Sequence, residues 1–177
     1  MIAKPYEDAM LFMGVLSTEG LPDDIKDKIE KSFGPVSFIS SPIPFDFTDY
    51  YNEEMGGKIE RFFIAFDTLI SPDKLADAKT VTDGIELEHS PSGKRSINLD
   101  PGLITESNVV LATTKNRAHR IAIGQSLYAE VTLIYHRHGF ESFPWTYADY
   151  RSEEVQKVLV ELRNRYLLLR RLTKRGR

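Results

Sequence analysis

The sequence predicts a single α+β domain over residues 1–177, built on a mostly antiparallel sheet. Three observations predict it. The first half alternates as strand, helix, strand, strand, helix, strand, which is the split β-α-β-β-α-β order of ferredoxin-like sheets. The second half adds short β-rich segments joined by turn residues, as added antiparallel strands require. The chain then closes on a long amphipathic stripe, a C-terminal helix to pack on that sheet. With 177 residues, 41% hydrophobic and 28% charged, one core of ordinary size forms without staples. Cysteine is absent, which excludes disulfides, thiolate metal sites and a cysteine nucleophile.

The elements follow in order. Asp8–Ser17 is a continuous apolar run of strand length, the pattern of a central strand covered on both faces. Pro22 suits the first turn of a helix, Ile25, Ile29 and Phe33 give it one apolar face, and Gly34-Pro35 ends it. Val36–Ser40 is a second strand. Ser41–Gly57, with its prolines and the Gly56-Gly57 pair, reads as a long ordered loop. Ile59–Leu69 is a third strand. Ser71-Pro72-Asp73 starts the second helix with a hydroxyl cap, proline and an acid on the positive dipole end. Arg95–Asp100 is a fourth strand, with Ile97 and Leu99 on one face and Asn98 and Asp100 on the other. Asp100-Pro101-Gly102 reads as a tight turn after it. Val109–Thr113, Ala118–Gly124 and Leu127–His136 suggest a meander. The last helix starts near Ser152, and its stripe is Val155, Val158, Leu159, Leu162, Tyr166 and Leu169.

The hairpin Arg117–His136 has two possible registers. A plain two-residue loop at Gln125-Ser126 sets Ile121 opposite Glu130 and mixes both faces. A bulge or an odd loop sets Arg120 opposite Glu130 or Thr132 and gathers the polar residues on one face, leaving His119 on the apolar one. Because a one-residue slip flips every side chain, the segregated register is expected. It predicts a cross-strand Arg120–Glu130 pair.

Charge is uneven. From Arg163 to Arg177 seven residues are basic and none is acidic, while the rest of the chain carries 16 basic against 26 acidic residues. Cations gathering at a helix C-terminus suit the macrodipole and the unpaired carbonyls there. Residues 173–177 are expected to be loosely ordered. No apolar run reaches membrane-spanning length and the first residues lack a signal-peptide layout, so the expected location is cytoplasmic with no membrane partner.

Common signatures fail. Gly57-Lys58 and Gly93-Lys94 lack the first glycine and the hydroxyl of a phosphate-cradling loop, and Thr114-Lys115-Asn116-Arg117 has arginine where a guanine-reading motif needs aspartate. No G-x-S-x-G, H-E-x-x-H or G-x-G-x-x-G occurs. What remains is a set of polar groups on ordered segments. Asp46, Asp49, Glu53 and Glu54 put four carboxylates in the loop, hard oxygen ligands suited to a divalent metal or to general-base work. Asn98 and Asp100 leave the sheet together. Thr114 and Lys115, with Thr113 beside them, sit at a hairpin tip suited to gripping a phosphate or carboxylate. Trp145, with Tyr147 and Tyr150, precedes the last helix, where aromatics either lock the helix to the sheet or form a stacking wall. His136 and His138 share a strand face, but Glu130 lies too far along the strand to join them on a metal.

Five stretches in order carry a resemblance: PFDFTDYY at Pro44–Tyr51, NLDPG at Asn98–Gly102, LATTK followed by AHRI within Leu111–Ile121, YAEVTL at Tyr128–Leu133, and PWTY with DYRS within Pro144–Ser152. With these the chain resembles the small prokaryotic proteins grouped as domain of unknown function 4416. The resemblance covers nearly the whole chain and implies membership without a mechanism. It directs attention to the polar residues in these blocks: Asp46, Asp49, Asn98, Asp100, Thr114, Lys115, His119, Arg120, Glu130, Trp145 and Asp149. Some similar sequences bear the label GTP-binding protein, which the broken guanine motifs here do not support.

The expectation is therefore a protein that binds a small polar or anionic ligand, with or without a divalent metal, on a polar sheet face beside the acidic loop 42–57. As an enzyme it would use Asp46, Asp49, Asp100 or Glu130 in catalysis, while Asn98, Thr114, Lys115, Arg120 and Trp145 hold the ligand. The alternatives are an RNA- or protein-interaction module using the basic C-terminal helix and, third, GTP binding without standard motifs.

Overall fold

The computed structural model describes residues 2, 4–47, 55, 57–90, 93 and 95–175. In chain order these form β1 (Ala9–Ser17), α1 (Asp23–Phe33), β2 (Val36–Ile39), β3 (Ile43–Pro44), β4 (Glu60–Ile70) and, after a 3-10 turn, α2 (Leu75–Glu88). There follow β5 (Ile97–Ile104), β6 (Asn108–Thr113), β7 (Ile121–Gly124), β8 (Leu127–His136), β9 (Gly139–Ser142), a second 3-10 turn at Asp149–Arg151 and α3 (Glu153–Arg175). The fold is α+β. Its nine-stranded antiparallel sheet runs β2-β4-β1-β5-β6-β8-β7, with β3 on β4 and β9 on β8. The first four long strands stand in the order β5-β1-β4-β2, the split ferredoxin-like pattern.

The sheet separates two cores. On one face Leu11, Met13 and Val15 of β1 meet Ile25 and Ile29 of α1 and Leu75, Ala78 and Ile85 of α2. On the other, Met10 and Phe12 meet Tyr150 and the α3 stripe Val155, Leu159, Leu162 and Tyr166. Every β1 residue is buried, as its unbroken apolar run requires. The N-terminus of α3 is capped by Ser152, whose Oγ accepts the Val155 N–H at 3.3 Å. Among the described residues no helix is long and apolar enough to cross a membrane.

Four sequence expectations need correction. Asp100-Pro101-Gly102 is not a turn, because β5 continues through it to Ile104, paired with β1 along its length. The Leu99 N–H and C=O both point away from β1, so the Pro101 nitrogen does too, and no ladder bond is lost. Gly102 is required because a Cβ there would stand 2.6 Å from both Leu111 and Phe12. The last strands are not a meander: β8 inserts between β6 and β7. Ser71 precedes the 3-10 turn as expected but makes no side-chain cap bond. Within the loop 41–57, Ile43–Pro44 forms a short strand on β4.

Candidate functional site

β5 and β6 pair only from Gly102↔Leu111 to Ile104↔Val109 and diverge beyond. The exposed edge of β5 is completed by α2 instead. Glu86 Oε1 accepts the Leu99 N–H at 2.6 Å, and Lys79 Nζ donates to the Leu99 carbonyl at 3.4 Å. A side-chain carboxylate and ammonium thus replace a neighbouring strand, satisfying backbone groups that burial would otherwise leave costly. The diverging strands open a cleft of about 800 Å³. Its walls are the C-terminal half of α2, the tip Thr113–Lys115, Phe45 and Phe47, and the segment Tyr147–Tyr150.

The floor is charged. Arg61 of β4 is buried; its Nε donates to Asp149 Oδ2 at 3.0 Å, and its Nη2 stands 2.9 Å from the same oxygen in an ion pair. Its guanidinium lies over the rings of Phe45, Phe63 and Tyr150. Asp100 Oδ2 is 3.7 Å from Arg61 Nη1, and Asp100 Oδ1 is 3.7 Å from Lys79 Nζ. Both distances exceed hydrogen-bond length. Lys79 also meets Asp83 at 2.8 Å, and Arg95 meets Glu86 at 3.2 Å. Four cations (Arg61, Lys79, Arg95, Lys115) therefore face four carboxylates (Asp83, Glu86, Asp100, Asp149) around one space.

Burial opposes the Lys79 charge, but Asp100, Glu86 and Asp83 together outweigh it and raise its pKa. Glu86 goes the other way for a carboxylate: burial raises its pKa, and Lys79, the Leu99 N–H and Arg95 offset that only in part. Burial also raises the Tyr147 phenol and holds that of Tyr150 well above the usual tyrosine range, so both hydroxyls stay protonated at neutral pH.

Gly14 makes this floor possible. It pairs with Asp100 on β5 and Phe63 on β4, and a Cβ on it would stand 2.8 Å from Arg61 Nη1 and 2.9 Å from the Tyr150 hydroxyl. A glycine in the central strand thus leaves room for a guanidinium and a phenol to meet over the sheet.

The structure places the expected residues in two groups. Asn98, Asp100, Thr114 and Lys115 line the cleft. Glu130, Arg120 and Trp145 stand behind its wall. The β7–β8 turn has two residues, Gln125 and Ser126, both at positive φ, and a bulge between Ala122 and Gly124 shifts the register by one. Ile121 then faces Ala129, and Arg120 comes opposite Glu130, donating from Nε to Oε2 at 2.7 Å. The expected cross-strand pair is present, and because Glu130 is buried it is an interior one. Arg120 also donates to the Lys115 carbonyl at 2.7 Å and the Tyr147 hydroxyl at 2.9 Å, clamping two walls together. His119 lies before β7, outside the strand alternation. It shares Glu130 Oε2 at 3.0 Å rather than pointing to the opposite face.

Trp145 is structural in its contacts. Its ring lies between Phe143 and His119 at 4.7 and 4.9 Å, and its Nε1 donates to the Val131 carbonyl. Asp46 is exposed and lies outside the cleft lining, between Phe45 and Phe47. Asp49, Glu53 and Glu54 fall outside the described residues. Among the described residues no three His, Asp or Glu side chains gather as metal ligands.

Sequence reasoning missed Arg61, Lys79, Glu86 and the Tyr150 hydroxyl as parts of the site. A charge inside the apolar run of β4 and a lysine and acid seven residues apart on α2 were the available signals.

No curated protein and no solved structure matches the chain. A family model described as Domain of unknown function (DUF4416) matches residues 7–166, which span every strand and most of α3, and the chain belongs to that family.

Proposed function

We propose that the protein binds a small polar or anionic ligand in the cleft between β5 and β6. The observation that carries this is the convergence of Asn98, Asp100, Thr114 and Lys115 on one cleft floored by a buried ion network. Its volume of about 800 Å³ is that of a small-molecule site. Lys115 and the Thr114 hydroxyl serve an anionic group at the mouth. Asp100 offers an accessible carboxylate at the floor, and in an enzymatic reading it is the residue placed to exchange a proton with the ligand.

The basic C-terminal helix is largely engaged within the protein. Arg163 lies over the Tyr135 ring and donates to the Glu106 carbonyl, Arg165 meets Asp67, and Arg170 and Lys174 meet Glu7. This supports the cleft over an RNA-binding surface.

The test is a thermal-shift panel of divalent metals, GTP and ATP with magnesium, sugar phosphates and poly-RNA. A ligand at a hundred times its Kd adds about 2.7 kcal/mol, or roughly 5–10 °C for a domain of this size. A shift with a small molecule that is lost in Lys115→Ala is expected. A flat panel, or a shift with RNA alone, overturns the reading.

A further inference from the structure

We infer that the cleft takes a polyhydroxylated ligand, a sugar or sugar-like polyol, whose hydroxyls bond to Asp100, Asn98 and Tyr150. The inference rests on the cleft reading above and narrows its ligand class.

Among the described residues, three groups at the floor lack a hydrogen-bond partner, and their demands differ in sign. The Asp100 carboxylate is 29% exposed and accepts no hydrogen bond from any described residue. Asn98, on the same face of β5 and 3% exposed, donates from Nδ2 to Glu86, while its buried Oδ1 meets no donor. The Tyr150 hydroxyl, on a residue 1% exposed, also makes no hydrogen bond to any described residue. Asp100 and Asn98 thus call for donors. Tyr150, protonated, calls for an acceptor.

Charge decides which ligand groups meet these demands. An ammonium would supply donors, yet beside Asp100 it would also face Arg61 and Lys79, each 3.7 Å from that carboxylate. A phosphate or carboxylate at the floor would accept from Tyr150 but oppose Asp100, and it would leave Asn98 Oδ1 without a donor. A hydroxyl both donates and accepts and carries no charge, so a run of hydroxyls satisfies all three groups. The walls agree with this: Phe47 and Tyr147 line the cleft and are 40% and 42% exposed, apolar ring surface suited to the C–H groups of a sugar. Lys115 and Thr114 at the mouth then suit a phosphate carried on such a ligand.

The experiment is calorimetric titration of the full chain with aldopentoses and aldohexoses, their phosphates, the matching deoxy-sugar phosphates, inorganic phosphate, and alanine as an amine-bearing probe. A sugar or sugar phosphate is expected to bind, and removing a contacting hydroxyl or making Asp100→Asn weakens it about tenfold to a hundredfold. Tyr150→Phe separates binding from folding. It deletes a hydroxyl that bonds to no described residue, so the melting temperature holds or rises while polyol affinity falls. Inorganic phosphate binding as tightly as a sugar phosphate, alanine binding in preference to polyols, or polyol binding indifferent to Asp100→Asn and Tyr150→Phe overturns the inference while the cleft reading stands. No binding by any probe overturns the inference, and the cleft reading falls with it only if the thermal-shift panel is also flat.

Discussion

Gly14 shows how much one position decides. Its Cα lies beneath the Arg61 guanidinium and the Tyr150 hydroxyl, and Arg61 is fixed by Asp149, so a methyl group has no flexible neighbour to displace. Gly14→Ala is expected to cost about 1–3 kcal/mol, read as a lower denaturant midpoint with unchanged slope. The Arg61–Asp149 pair has both side chains almost wholly buried. Asp149→Ala is expected to cost about 3–5 kcal/mol, because it strands a buried guanidinium. A double change of Arg61 and Asp149 to leucine should be less harmful than the two single losses summed, and a double-mutant cycle measures the difference. Asn98, Asp100 and Asp149 were legible as polar residues inside ordered motifs. Arg61 was not, since its charged partners come from β5 and from the segment before α3, and no local pattern records that Gly14 leaves it room.

At the scale of elements, α2 acts as a partial strand for β5. Glu86 has its folded-state pKa raised by burial, so its stabilising contribution is full below the unfolded value and is lost as pH rises through the folded one. Glu86→Gln should therefore gain on the parent protein between about pH 4 and pH 7, as urea midpoints at the two pH values will show. The β7–β8 hairpin permits a second prediction. Ser126 sits at φ 60° in a two-residue turn, the position where glycine is favoured. Ser126→Gly should raise the melting temperature by about 1–4 °C. The segregation of polar residues in this hairpin was readable, including the one-residue offset that a bulge supplies. The strand order was not: short turns imply neighbours in sequence, whereas β8 pairs with both β6 and β7, and β7 reaches the edge through the loop 114–120. The slot between β5 and β6 was equally invisible, because Asp-Pro-Gly signals a turn unless the proline nitrogen faces an unpaired edge.

Across the whole molecule, two cores fill the two faces of the sheet, and the cleft lies where the strands diverge between them. The overall architecture was legible because it rests on long periodic segments: the buried β1, the α1 face and the α3 stripe. The charge asymmetry was legible too, but not its use. The basic end of α3 meets Glu7, Asp67 and Glu106, acidic groups from distant parts of the chain. These pairs are exposed and contribute little individually, about 1 kcal/mol or less. Removing residues 173–177 should therefore lower the melting temperature by no more than about 2–4 °C and leave cleft binding unchanged, a comparison for scanning calorimetry and titration on one truncated protein.

The side-chain completion of β5 makes one amide a reporter of the cleft. The Leu99 N–H is held by Glu86, a carboxylate on a helix, so a single rotamer change of Glu86 frees it while the ladder to β1 stays intact. Its hydrogen exchange then follows local opening of the slot, whereas amides bonded between β1 and β5 exchange only when the sheet itself opens. Occupancy of the cleft becomes visible at one backbone position, as a protection factor at Leu99 that rises with ligand while its neighbours on β1 hold constant.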